Sequence, residues 1–506
     1  MTQMSHFRRD KMNSNQPTDI YGKPYHRGLF VAVFLIGAFV MVLNQTVIST
    51  AQPAIMKSFD IGTSTVQWLT TGFSLVNGIM IPISAWLMTR FKTKPLILVA
   101  LASFFGGTLV AFCANSFSML LAGRLIQALG AGAIMPLMQT VFLTIYPPEQ
   151  RGAAMGINGI VIGLAPAVGP TLSGWVVDSR TWRDLFGIML PIVAVAFIGS
   201  IFFIKDVLPI KKTKLDLLSV ITSTIGFGTL LYGFSNAGTD GWTDTWVLLE
   251  ILIGVIFVII FAWRQLKMDE PFLNLRVFKS VEFTMAALIS AVANLAMTGA
   301  EIILPLYIQN LRGISAFHSG LLLLPGALMI AVIAPIAGRI FDRYGAKDMT
   351  ILGMFLLSIG TVPFFFLTKD TSMAYIVIFY AFRMAGIAMA LMTVTTAGMN
   401  ALPMELMSHG TASNNTFRQV MSSIGVAVMT SVLTNVTKNA MPSSSVLHNT
   451  PLKYRDEAIN AALSGYHATF ILATGFAVVA LILSLFLKSK PNRSTDIDLD
   501  KLKEAK

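Results

Sequence analysis

Charged side chains are scarce in this sequence: Asp, Glu, Lys and Arg together make up 12% of its 506 residues, about half the ~25% usual in soluble domains. That scarcity excludes an ordinary water-facing surface, and a hydrophobic content of 54% makes lipid the expected solvent. Cysteine occurs once, as Cys113 inside an apolar run, which excludes an internal disulfide and leaves a small packing residue as the expected role. The six histidines are dispersed over tails, loops and span ends, so no metal site is expected. No phosphate-cradling Walker loop is present, which argues against direct ATP drive. The polar, basic first 27 residues contain no short apolar core, so no cleaved signal peptide is expected. The formal charge of +12 does not point to nucleic acid, because the basic residues are scattered through short connections and not gathered on one polar domain.

What the chain does contain is apolar runs long enough to cross a bilayer. Fourteen are expected, at 28–50, 66–88, 96–114, 117–145, 153–178, 184–204, 217–236, 245–263, 282–308, 318–341, 349–368, 373–401, 410–434 and 465–487. An even number puts both termini on one side. About 26 of the 37 Lys and Arg residues then fall on that side and about 8 on the other, which predicts cytoplasmic termini by the positive-inside rule. The connection 435–464 is expected to be a solvated loop with one short helix near 453–462. The C-terminal tail reads as disordered, with basic residues available to anionic lipid.

The sequence repeats itself in the same sense. Leu121, Gly123, Arg124 and Gln127 in span 4 correspond to Tyr380, Arg383 and Gly386 in span 12. The loop carrying Thr89, Arg90 and Lys92 echoes the one carrying Gly338, Asp342, Arg343 and Gly345. Such repetition indicates two parallel halves related by an axis along the membrane normal. The expected organisation is a tail (1–27), a six-helix bundle (28–204), two extra helices (217–263), a second six-helix bundle (282–487) and a tail (488–506).

These motifs, with Gly163, Pro166, Gly169, Pro170 and Gly174 in span 5, Trp182 to Pro191 before and in span 6, Pro271 to Phe278 before span 9, and Gly410 to Gln419 in span 13, resemble the fourteen-helix drug:proton antiporters of the major facilitator superfamily. The resemblance covers nearly the whole membrane part. It implies an all-α integral membrane protein of the major facilitator fold, a multi-pass cell-membrane exporter of multidrug-efflux type linked to antibiotic resistance. It assigns gating and conformational roles to Arg90, Gly163, Pro166, Gly169, Pro170, Gly338, Asp342, Arg343 and Gly345, and a proton-transfer role to Arg124. Two departures stand out. The first-half loop has Thr89 and Lys92 where the family usually has Asp and Gly, and Asn44 stands where span 1 commonly carries an acid.

Of the 25 acidic residues, Glu301 is the only one expected well inside a span. A buried carboxylate can take up and release a proton because desolvation disfavours its charge, so Glu301 is the expected coupling group, with Gly299 and Pro305 loosening its helix. The alternative is an interfacial acid paired with Arg312. Arg124 is expensive to bury in a span and marks a polar cavity or tie; Arg383 and Arg418 lie nearer span ends and are expected to snorkel. Substrate-cavity candidates are Asn44, Gln45, Trp68, Phe73, Met135, Met392 and Met399, the amides as hydrogen-bonding groups and the methionines and rings as adaptable apolar wall. Gly152, Gly156, Gly159, Gly163, Gly169 and Ser173 predict close helix packing in span 5. The expected function is proton-coupled export of small lipophilic, cationic or neutral compounds by a monomer with no cofactor, anionic substrates remaining open through Arg124. A lipid flippase, a metabolite exporter of the same fold and a non-transporting sensor are the alternatives.

Overall fold

A computed structural model describes residues 17–211, 214–443 and 450–487; most of both tails and 444–449, including the tail expected to be disordered, lie outside the described residues. Among the described residues, fourteen helices are long and apolar enough to span a membrane. In chain order they are α1 (Arg27–Phe59), α2 (Thr63–Arg90), α3 (Thr93–Phe112), α4 (Phe117–Ile145), α5 (Arg151–Ser179), α6 (Arg183–Phe203), α7 (Leu217–Ala237), α8 (Thr245–Lys267), α9 (Val281–Leu306), α10 (Ala316–Tyr344), α11 (Lys347–Thr361), α12 (Met373–Asn400), α13 (Met407–Ala440) and α14 (Pro451–Ser484).

Helices dominate because in lipid each backbone amide must be satisfied within its own segment. Ser116, Asp216, Asp244, Ser280, Ser315 and Ser372 each accept a hydrogen bond from a first-turn amide, which caps donors that helix geometry leaves unpaired. Several helices outrun their apolar runs. Residues 453–462, expected as a separate short helix, are the opening turns of α14, and α13 extends to Ala440. Ala, Lys, Arg and Glu in these stretches favour helix whether or not lipid surrounds them. Span 11 ends differently: after Thr361 the chain tightens into a 3₁₀ turn, Val362–Phe366, where Pro363 removes an amide donor. Span 9 also changes pitch, with Pro305 inside α9 and a widened π turn over Tyr307–Leu311.

The buried apolar side chains form two principal cores, one drawn from residues 25–208 and the other from 286–487. The first joins α1 to α6 and the second α9 to α14. Helices α7 and α8 pack as a hairpin on α2 of one bundle and α13 of the other. Trp242 Nε1 donates to Ser431 Oγ at 2.9 Å, and the same hydroxyl donates to the Ala237 carbonyl at 3.2 Å, fixing the hairpin to α13. Trp68 of α2 stacks on Tyr232 of α7 with ring centroids 5.6 Å apart.

At its other end the hairpin is closed by Arg264, whose Nε and Nη2 lie 2.7 and 2.8 Å from the Asp216 carboxylate. This fork, with Ser219 donating to the same carboxylate, holds Asp216 down from 3.8 to about 2. A carboxyl held below its unfolded value stabilises the fold above the unfolded value and loses that contribution as pH falls through the folded one. Thermal unfolding in detergent should therefore show Asp216→Asn less stable than the parent by ~1 kcal/mol at neutral pH. The gap should shrink between pH 4 and pH 2. A difference that stays constant down to pH 2 would mean that the ion pair is not its source.

The bundles meet most extensively along α5 and α10. A Cβ on Gly152 would strike the Gly338 carbonyl and the Asp342 carboxylate, one on Gly156 would lie 2.7 Å from Pro335 Cα, and one on Gly174 would lie 3.1 Å from Phe317. Only hydrogen at these positions permits the approach, the small-residue packing that helices use when lipid supplies no hydrophobic drive. The spacing that predicts tight packing in span 5 thus has a specific partner, α10 of the opposite half.

Candidate functional site

A cavity of about 310 Å³ lies between the two bundles, walled by α1, α2, α4, α5, α9 and α13. Its polar lining comprises Gln45, Asn77, Asn294, Asn415 and Gln419, the hydroxyls of Thr46, Thr298 and Ser422, and two charged residues, Glu301 and Arg418. Met41, Met135 and Met297 supply adaptable apolar surface. A larger depression of about 430 Å³ between α13 and α14, lined by Leu433, Lys438 and Tyr466, is remote from these charges.

Glu301 is the one carboxylate on the cavity wall. The positive charges that bear on it electrostatically are Arg383 and Arg418. Arg312 is engaged elsewhere, donating to the Thr371 carbonyl at 2.5 Å, so the expected alternative pairing with Glu301 is not formed. Arg383 and Arg418 do not snorkel: each sits well inside its helix. Arg383 is fully buried and donates to Thr361 Oγ1 at 3.2 Å and to the Ala296 and Met297 carbonyls at 2.8 and 3.3 Å. Arg418 faces the cavity and donates to Asn294 Oδ1 at 3.3 Å. For Arg418 this follows in part from helix extent, α13 beginning at Met407 and not at 410; Arg383 is held inside by its partners on α9 and Thr361, since α12 begins at Met373 as expected.

Arg124 is equally buried, with neutral partners. It donates to Gln127 Oε1 at 3.0 Å and to the Asn44 and Leu69 carbonyls at 3.3 Å each, and its guanidinium lies 4.3 Å from the Phe73 ring centroid. Asn44 donates to Gln127 Oε1 at 2.9 Å, and Gln127 to Thr108 Oγ1 at 2.8 Å. The second half repeats the plan in outline, with Arg383 for Arg124, Thr361 bonded directly where Thr108 is reached through Gln127, and two carbonyls of α9 for those of Asn44 on α1 and Leu69 on α2. Carbonyls and an aromatic face compensate a buried guanidinium without an acid, which is how the first half keeps its arginine beside an asparagine.

The seven cavity candidates separate on this geometry. Gln45 and Met135 line the cavity. Asn44 and Phe73 belong instead to the Arg124 cluster, because adjacent residues on a helix point about 100° apart and Gln45 takes the cavity face. Trp68 stacks on α7, 41% exposed. Met392 is buried against Gly159, and Met399 against Gly410 near the end of α12. Sequence reasoning did not assign Asn77, Asn294, Asn415 and Gln419 to the cavity: Asn77 and Asn294 signal only as amides isolated in apolar helices, while Asn415 and Gln419 lie within the span 13 motif Gly410 to Gln419.

Of the motif residues, Asp342 makes the clearest link between halves, accepting hydrogen bonds from the Gly152 and Ala153 amides at 2.7 and 2.9 Å. A carboxylate at a helix N-terminus meets both free donors and the positive end of the dipole. Gly345, ending α10 at φ 96°, occupies a conformation that penalises any Cβ; Arg343 is exposed. Arg151 donates to Asn400 at 3.0 Å, and deeper in, Thr140 meets Thr411 at 2.6 Å and Asn415 donates to Gln139 at 2.7 Å. The bundles are thus tied together on the side of the cavity where α5 begins and α10 ends. The first-half loop is turned another way: Thr89 bonds its own Trp86 carbonyl, Arg90 lies over Phe91, and the Lys94 amide donates to Asp206. Pro166 lines the cavity, Gly163 and Gly169 abut Ile330 and Thr46, and Pro170 lies inside α5.

Comparison with known proteins accords with this architecture. The family model described as Major Facilitator Superfamily matches residues 34–426. An uncharacterized MFS-type transporter, YcnB of Bacillus subtilis, is 47% identical over 95% of this chain and 98% of its own length. The lincomycin resistance protein LmrB of Listeria innocua is 37% identical over 90% of this chain and 96% of its own. Among solved structures, the human organic anion transporter MFSD10 superposes with a TM-score of 0.62 at 14% identity, covering 90% of this chain and 99% of that one, a likeness of fold. With two helical bundles around a polar central cavity and a family match across most of its length, this chain is a multi-pass membrane transporter belonging to the Major Facilitator Superfamily.

Proposed function

We propose that this transporter exports small lipophilic compounds across the cell membrane in exchange for protons. The observation that carries the reading is the position of Glu301, the one carboxylate on the cavity wall. A proton and a substrate that both require this group compete for it, and competition within an alternating-access cycle is antiport. The two bundles are the bodies that rock, the α7–α8 hairpin is the extra pair beside them, and the closed contacts through Asp342, Arg151 and Thr140 form the cytoplasmic gate. Both termini are cytoplasmic in this scheme, by the distribution of Lys and Arg. One chain supplies the whole cavity, so a monomer suffices, with membrane lipid as its solvent. The names of relatives such as LmrB and the multidrug transporter protein MdtP of Bacillus subtilis support a role in drug resistance.

The test is uptake of cationic, neutral and anionic dyes into everted membrane vesicles with an acid lumen. Uptake that collapses when an ionophore dissipates the pH gradient is the expected result. Uptake indifferent to the gradient, or absent for every dye, would overturn proton-driven export.

A further inference from the structure

The cavity contains three carboxamides that the fold itself does not use. Gln45 on α1, Asn77 on α2 and Gln419 on α13 line it, and none makes a hydrogen bond with another described residue. Asn294 and Asn415, by contrast, are committed, the first to Arg418 and the second to Gln139 and the Thr411 carbonyl. Amides in a membrane interior normally tie helices together; these three are only partly buried and stay open to the cavity, where water or a ligand would pair them. The three come from both bundles and line the same cavity, and Gln419 Cγ lies 3.6 Å from where a Cβ of Gly78, the neighbour of Asn77, would stand. Each offers two N–H donors and a carbonyl acceptor. A purely greasy ligand would leave all three unpaired.

Charge in the same region argues against a cation. Glu301 already has Arg383 and Arg418 bearing on it, so a cationic ligand would meet two guanidinium charges for one carboxylate. A ligand hydroxyl can donate to ionised Glu301 without that repulsion.

From this geometry we infer that the substrates are uncharged lipophilic compounds that carry a compact group bearing several hydroxyls, read by Gln45, Asn77 and Gln419, with one hydroxyl donating to Glu301. The inference rests on reading the cavity as the transport site. Preference for such a ligand is compatible with antiport, since protonating Glu301 replaces the charged acceptor that the hydroxyl uses with a weaker neutral one.

The test is binding of fluorescent probes of similar size to the full-length protein in lipid nanodiscs, read by anisotropy: dansyl-glucosamine, dansyl-cyclohexylamine, whose six-membered ring carries no hydroxyls, and a quaternary N-methylpiperidinium analogue. The glucosyl probe should bind tightest despite being the least lipophilic of the neutral pair. Asn77→Leu, Gln45→Met and Gln419→Met should each weaken it by about 2- to 10-fold, as expected for one neutral hydrogen bond, and leave the cyclohexyl probe unchanged. If the cyclohexyl or cationic probe binds best to the wild-type protein, the inference fails, and that ranking needs no variant to fold. Variants that weaken all probes equally would overturn it too. Gradient-driven uptake in vesicles separates this outcome from the exporter reading: hydroxyl preference without gradient-driven flux defeats the exporter alone, and gradient-driven flux with a preference for the bare ring defeats this inference alone.

Discussion

Glu301→Gln is expected to lower pH-gradient-driven flux between about 5- and 150-fold, the range of a 1–3 kcal/mol coupling free energy, while ligand binding survives. Gln matches Glu in shape and still offers a hydrogen-bond acceptor, so the cavity wall keeps its form. It cannot exchange a proton. Binding to the parent should weaken as acidification protonates Glu301, whereas binding to the variant should be flat with pH. Flux in everted vesicles, paired with nanodisc binding at pH 6 and pH 8, measures both quantities. Equal flux in the two proteins would remove Glu301 from the coupling mechanism, and Arg124 or Arg418 would have to be reconsidered as sites of proton linkage.

Asp342→Ala should shift the protein away from the closed arrangement by about 100-fold or more. Two charge-assisted hydrogen bonds, at 2.7 and 2.9 Å, hold the end of α10 to the start of α5, and bonds of that type contribute ~1.5–3 kcal/mol each. The corresponding first-half residue is Thr89, whose hydroxyl is used within its own helix, so no matching latch takes over. The lone Cys113 simplifies the measurement: after Cys113→Ser, labels at Phe91→Cys and Glu405→Cys, both exposed positions, report the separation of the two bundles. The distance distribution should lengthen in the Asp342→Ala protein. An unchanged distribution would show that the small-residue seam between α5 and α10 alone determines closure.

The fold was readable from sequence because apolar runs of bilayer length need no tertiary information to be recognised. Facing was not. A helix with apolar residues on every side carries no amphipathic stripe, so nothing in the sequence indicates that Gln45 points into the cavity and its neighbour Asn44 into the Arg124 cluster. Arg418 illustrates the same limit, since its apparent nearness to a span end depends on a boundary that helix-forming residues extend to Met407; Arg383 lies ten residues into α12, whose start at Met373 the sequence places correctly, and only its partners show that it is held inside. Glu301 was the exception, since a single acid in an apolar run is distinctive wherever its side chain points. The unpartnered status of Gln45, Asn77 and Gln419 required knowing what every other helix offers them.

The six helices of the first bundle hold their arginine with carbonyls, an amide and an aromatic ring, and carry no carboxylate except near their ends. If the proposed antiport holds, with Glu301 as the one carboxylate on the cavity wall, a cycle would move one proton for each uncharged substrate. One elementary charge crossing 100 mV releases about 2.3 kcal/mol, enough to sustain a concentration ratio of about 50-fold at 1.4 kcal/mol per decade. Under that stoichiometry the concentration ratio would have a thermodynamic ceiling that a cell could raise only by steepening its proton gradient; making more copies would speed the approach to it.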